Sequence, residues 1–164
     1  MLCLLTDVKY CFRIRDQRYV DLVNVVTGIP VGLKRGPADS FVTISADGKS
    51  TYVTFAKDSR VSVIDSDPQS RTYNQEVTVI DTPGDNLRDL TLSEDGTLAV
   101  VASRLTDAVV VLNTDRNSPT FHSVVKTFQV GDSPWDVVIK KMDARRSVVY
   151  VTNSRDGTLT VFGE

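Results

Sequence analysis

The chain is poor in the residues that usually carry chemistry. Its 164 residues include one histidine, one tryptophan and two cysteines. A lone histidine, His122, argues against a Ser-His-Asp triad or a histidine-ligated metal. The cysteines, Cys3 and Cys11, read as two small buried hydrophobes on neighbouring strands rather than as a disulfide framework. No Cys-x-x-Cys or Cys/His cluster has zinc-site spacing. Charge of one sign is also lacking: 19 basic and 21 acidic residues leave a net −2, so neither nucleic acid nor an anionic membrane is an expected partner. No apolar run exceeds a few residues, so no membrane span is expected. Met1 to Leu5 is too short for a signal-peptide core, and a complete chain would be expected in the cytosol. Phosphate loops and dinucleotide fingerprints are absent, so no cofactor is expected.

What the chain does have is a repeat. Ser45-Ala46-Asp47-Gly48 recurs as Ser93-Glu94-Asp95-Gly96, with a worn copy at Lys141-Met142-Asp143-Ala144, each Asp 48 residues after the last. A period in this range marks a solenoid, propeller or array. Each unit divides into β-prone runs rich in Val, Ile, Thr, Tyr and Phe. In the first full unit these are Phe41 to Ser45, Thr51 to Ala56, Arg60 to Asp65 and Glu76 to Asp81, here called A to D. The second has Asp89 to Ser93, Leu98 to Ser103, Ala108 to Asn113 and Ser123 to Val130. The third has Asp136 to Lys140, Val148 to Asn153 and Thr158 to Phe162, with no D run after it. A degenerate N-terminal copy aligns Asp7 with Asp47, Tyr10 to Arg13 with Tyr52 to Phe55, and Asp21 to Asn24 with Ser62 to Asp65.

Several runs are apolar on both faces, as in Leu98-Ala99-Val100-Val101. A sheet packed on both sides requires this. A four-stranded antiparallel meander per repeat, stacked face to face, is a β-propeller blade. The expected fold is therefore all-β, with blades at about 1–35, 36–83, 84–130 and 131–164, the first and last incomplete. Closed propellers have roughly 4–8 blades. The chain is then a segment of a longer ring, a half-ring that pairs, or a small four-bladed ring. Left open, it exposes two apolar sheet faces, and self-association through them is expected.

Tyr150-Val151-Thr152-Asn153 resembles the signature of the YVTN β-propeller repeat family of surface-layer and other exported proteins. Gly131 to Val138 resembles that family's Gly-x-x-Pro opening into strand A, and Asn153 to Val161 its link into strand C. The unit containing Asp47-Gly48-Lys49, Tyr52-Val53-Thr54 and Val61 to Asp65 is similar, whereas Ala99-Val100-Val101-Ala102 replaces the signature in the next one. Asp156 to Val161 would also suit a WD repeat, but the Gly-His and Trp-Asp markers of that family are absent. The resemblance implies a propeller and, for a segment of a longer family member, an exported or cell-surface location.

In propellers the D–A and B–C links share one rim, and strand A lines the central channel. Each B–C link holds an aspartate: Asp16, Asp58, Asp107 and Asp156. Recurrence in every unit points to turn capping rather than catalysis, as for Asp47-Gly48, Asp95-Gly96 and Gly157. Asn113 to Asn117 is read as a plain C–D turn, since it lacks the Gly and Glu of a calcium loop. The non-repeating rim residues Ser40, Arg88 and Trp135, with Arg104 and Arg155 nearby, are the binding candidates. No catalytic or metal-binding residue stands out. The favoured expectation is a non-enzymatic surface that binds a protein partner through this rim. The alternative is part of a propeller enzyme, lactonase-like or quinoprotein-like, with a site at the channel mouth. A broad rim with exposed Trp135 and arginines and no strongly shifted titrating group would favour the first. Carboxylates and basic groups converging in one place would favour the second.

Overall fold

A computed structural model of the chain describes residues 40–143 and 146–163. Asp16, Cys3, Cys11 and the whole N-terminal copy lie outside the described residues. Those described form three antiparallel sheets. The first is β1 (Ser40–Ile44), β2 (Ser50–Phe55), β3 (Arg60–Asp65) and β4 (Glu76–Asp81). Next come β5 (Leu87–Leu92), β6 (Leu98–Ser103), β7 (Ala108–Asn113) and β8 (Val124–Gln129). The third has β9 (Pro134–Lys141), β10 (Ser147–Asn153) and β11 (Thr158–Gly163). Each sheet is a simple meander in chain order. The only helical element among the described residues is a 3₁₀ turn, Arg104–Thr106, between β6 and β7. The all-β propeller expectation therefore holds.

The hairpins follow from turn chemistry. Gly48 and Gly96 sit at φ +72° and +70°, where a side chain is strained. In the first turn Ser45 Oγ donates to Asp47 Oδ1 at 2.6 Å, and that oxygen also accepts the Lys49 N–H at 3.0 Å. Ser93, Asp95 and Thr97 repeat the arrangement at 2.8 and 3.1 Å. The repeated Ser-x-Asp-Gly words are thus identical hydrogen-bonded devices.

Strand alternation sorts the apolar side chains into two cores. Tyr52, Val61, Val63 and Ile80 of the first sheet meet Leu87, Leu90, Ala99, Val101, Val110 and Leu112 of the second. The opposite face of the second sheet presents Val100, Ala102, Val109 and Val111 to Val137, Val149 and Val151 of the third. Val100 and Val101 are neighbours in sequence and lie in different cores, as the period of two demands. The middle sheet has no solvent face, which explains its continuous apolar runs.

Candidate functional site

The site grows out of an irregularity in the inner strand of the second sheet. The β5–β6 ladder pairs Leu87 with Ser103, then shifts register and resumes at Leu90 with Val101. Arg88 and Asp89 fall in the gap. Strict alternation would send them to opposite faces, but the bulge lets both address β9. Thr54 Oγ1 donates to the Arg88 carbonyl at 2.7 Å and fixes that stretch of backbone from the first sheet.

Arg88 is only 5% exposed, and its guanidinium lies over the Trp135 ring, 4.1 Å from the centroid. Arg104 approaches the same ring at 5.6 Å. A network in the two adjoining links holds Arg104 in place. Ser103 Oγ accepts the Asp85 N–H at 2.7 Å and lies 2.6 Å from Thr106 Oγ1. The Arg104 and Leu105 N–H groups donate to the carbonyls of Asn86 and Asp85, each at 3.2 Å. Asn86 takes a left-handed turn at φ 54° and donates through Nδ2 to the Ala56 carbonyl. Arg104 Nε and Asn86 Oδ1 are buried without a hydrogen-bond partner among the described residues. Two arginines therefore share one indole ring, an arrangement stabilised by the ring quadrupole.

Beside them lies a carboxyl pair. Asp89 Oδ2 accepts the Val137 N–H at 3.3 Å, joining the inner strands of the second and third sheets. The Asp136 carboxyl lies beside it. Burial, and then the neighbouring Asp136 carboxyl, push Asp89 up to about 6, against the opposing pull of the Val137 amide. Asp89 therefore exchanges its proton close to neutral pH.

The structure brings together three of the five binding candidates: Arg88, Arg104 and Trp135. Ser40 opens β1 in the first sheet, opposite Phe55, away from the seam between the second and third sheets. Arg155 is exposed and reaches Asp132 at 3.8 Å. Arg88 is buried where the binding-surface expectation has it exposed, because the bulge turns it inward onto Trp135. Asp89 and Asp136 each open the expected A run of their unit, so the sequence sets them at equivalent positions; what it does not show is that the two carboxyls lie side by side.

The B–C aspartates make turn contacts. Asp58 is buried and accepts from Arg60 Nε and Nη2 at 3.0 and 3.1 Å. Asp107, left-handed at φ 49°, accepts the Ser133 N–H at 2.9 Å and so ties the second B–C link to the next sheet. Asp156 accepts the Thr158 and Asp132 N–H groups at 3.1 and 3.0 Å, ahead of Gly157 at φ +66°.

The opposite rim holds a cleft of about 480 Å³ lined by Lys49, Asp65, Asp67, Arg116, Phe121 and His122, among others. Its charged side chains have partners. Lys49 pairs with Asp67 at 3.1 Å, and Arg116 Nη2 donates to Ser50 Oγ at 2.5 Å. Burial, and then the Arg116 charge, hold His122 down at about 4, so it is neutral at pH 7. Among the described residues no group of three or more His, Cys, Asp or Glu side chains could hold a metal ion, and no helix is long and apolar enough to cross a membrane.

Meanders stacked face to face, with inner strands touching, define a β-propeller. The family described as lactonase, 7-bladed β-propeller, matches residues 11–139, and the chain belongs to it. The likeness to YVTN units stays at the level of the repeat. A search of curated proteins finds no match. Solved structures show the same fold. Hydrazine synthase from Kuenenia stuttgartiensis superposes with a TM-score of 0.60 at 20% identity, over 88% of this chain and 36% of that one. The dihydro-heme d1 dehydrogenase NirN gives 0.55 at 17%, over 75% and 25%. A putative 6-phosphogluconolactonase from Bacteroides uniformis gives 0.50 at 16%, over 74% and 39%. The chain thus spans less than half of each of these structures.

Proposed function

We propose that the chain supplies part of a lactonase-like propeller and that its rim between the second and third sheets takes an anionic ligand or product. The observation that carries this reading is the convergence of Arg88 and Arg104 on Trp135, on the seam where burial and Asp136 push Asp89 up to about 6. Family membership supports it as well. Guanidinium forks suit carboxylate and phosphate groups, and the buried Arg104 Nε has a donor to offer.

Lactone hydrolysis fits these groups. A water oxygen bonds to the ring carbonyl carbon, and ionised Asp89 takes one of the water protons. The acyl–oxygen bond of the ring then breaks, and the ring oxygen receives that proton and leaves as a hydroxyl. The new carboxyl group releases the remaining water proton to solvent, and the arginines stabilise first the oxyanion and then the carboxylate product. The protein-binding reading keeps one observation, the 36% exposure of Trp135, a residue type common at hot spots.

Trp135 is the only tryptophan, so its fluorescence reports on this site alone. Titrating the chain with gluconate, and separately with inorganic phosphate, should give a saturable change as the arginines turn from the indole to the anion. Arg104→Ala should abolish it. An unresponsive indole in the folded wild-type chain would overturn the proposal.

A further inference from the structure

The links that follow β3 and β7 are one backbone device carrying different side chains. Asn74 and His122 stand 48 residues apart, both left-handed, at φ 60° and 61°. Their N–H groups donate to the carbonyls of Asp65 and Asn113, each at 2.8 Å. Such a turn accepts Asn and His alike. Arg116 stands where the first unit has Pro68, and Tyr52 where the second has Val100. The three exchanges fall together at the cleft on the rim opposite Trp135. Tyr52 Oη lies 3.2 Å from His122 Nε2, Phe121 stacks on His122 with centroids 3.6 Å apart, and Arg116 lies over Phe121 at 5.7 Å. The walls come from the first two sheets and their links.

The hydrogen bonds of this cluster run in one direction. Arg116 Nη2 donates to Ser50 Oγ, and a guanidinium can only donate, so Ser50 accepts there and keeps its own proton to give. The Tyr52 hydroxyl lies beside Ser50. With that oxygen accepting from Ser50, the buried phenol proton has His122 Nε2 as its acceptor. The neutral imidazole then carries its proton on Nδ1. Nδ1 is not buried and makes no hydrogen bond among the described residues. On Arg116, Nε faces Asp47 at 3.7 Å and Nη2 is given to Ser50, while Nη1 makes no hydrogen bond among the described residues. Both open groups are therefore donors. The nearby carboxylates serve their own turns: Asp65 accepts the Asp67 N–H at 3.0 Å and the Thr72 hydroxyl at 2.6 Å, and Asp67 accepts the Gln69 N–H at 2.9 Å.

We propose that this cleft is a second ligand site and takes a small aromatic carboxylate, with its anionic group on Arg116 Nη1 and His122 Nδ1 and its ring against Phe121 and Val77. Val77 is 46% exposed and supplies apolar wall. A cleft of about 480 Å³ is of the size that holds a small organic molecule. The site is separate from Arg88, Arg104 and Trp135 and does not rest on the lactonase reading.

His122 is the only histidine, so its ring signals in NMR report on this cleft alone. In the isotope-labelled full chain at neutral pH the imidazole should show the Nδ1–H tautomer. Titration with benzoate should shift its signals saturably. Acetate, which has the anionic group without the ring, should bind about tenfold more weakly. Arg116→Gln should abolish the benzoate response and keep the wild-type melting profile, since that side chain is 48% exposed. An unshifted His122 ring in the folded wild-type chain overturns the proposal, and so does an undiminished response in Arg116→Gln. The Nε2–H tautomer would overturn the pair of donors, and equal binding of acetate would overturn the aromatic ligand.

Discussion

The two seams between the sheets are built alike over most of their area and differ at their inner ends. In the first seam neutral hydroxyls join the innermost strands. Thr43 Oγ1 donates to the Leu90 carbonyl at 2.5 Å, and Thr54 Oγ1 to that of Arg88 at 2.7 Å. In the second seam charged groups occupy this region: Asp89 holds the Val137 amide, Asp136 lies beside it, and Arg88 lies on Trp135. A threonine pin satisfies a backbone group at little electrostatic cost. A half-buried carboxyl pair carries a desolvation penalty and is a poor device for joining strands alone. The seam that departs from the cheaper solution is where function is best sought.

The strongest way to break the comparison is to damage one aliphatic core and leave the other. Leu112→Ala opens the first seam at a fully buried side chain and should cost about 2–5 kcal/mol by denaturant unfolding. Val109→Ala strikes the second core from the same strand with a smaller volume loss, and should cost clearly less. Equal effects would mean that the seams are not separately packed.

The inner ends can be told apart by pH. Asp89 has a folded pKa raised to about 6, so the folded chain binds this proton more tightly than the unfolded chain does. That stability is fully present below about pH 4 and is lost as pH rises through about 6. The full move from the ordinary aspartate range would be worth roughly 3 kcal/mol, and the half-open site reduces this to about 1 kcal/mol. Asp136 beside it opposes the ionised form, and the Val137 amide favours it. Asp89→Asn should remove this decline, so thermal melts of the variant between pH 4 and 7 should be flatter than those of the wild type. A parallel decline in the variant would place the titrating group elsewhere.

The smallest expected effect tests the repeat itself. Gly48→Ala and Gly96→Ala each force a side chain into a left-handed turn with open space around it. Each should cost about 1 kcal/mol in chemical denaturation, and the two should agree closely because the turns are hydrogen-bonded alike. A large discrepancy would show that the turns are not equivalent.

Much of the architecture was legible because it rests on local chemistry. Asp47-Gly48 and Asp95-Gly96 can hardly do anything but turn, and Val61 to Asp65 can hardly do anything but extend. Strand beginnings were harder to place. β5 starts at Leu87 and β9 at Pro134, each two residues before the expected Asp89 and Asp136. The D–A links pair with the following strand B sooner than their polar composition suggests. Arg88, Arg104 and Trp135 were recognisable as rim residues that do not repeat. Their convergence was not, since it depends on a bulge that overrides alternation. Repeats predict what is the same in every unit, and a site is what differs.

The middle sheet, with Val100 looking one way and Val101 the other, has one further consequence. A layer that is oily on both sides is indifferent to how many layers stand before or after it. Duplicating or deleting one 48-residue unit leaves a junction whose two halves already match. Genes of this kind can lengthen or shorten their product while keeping the aliphatic packing, and only the inner ends of the seams need new contacts.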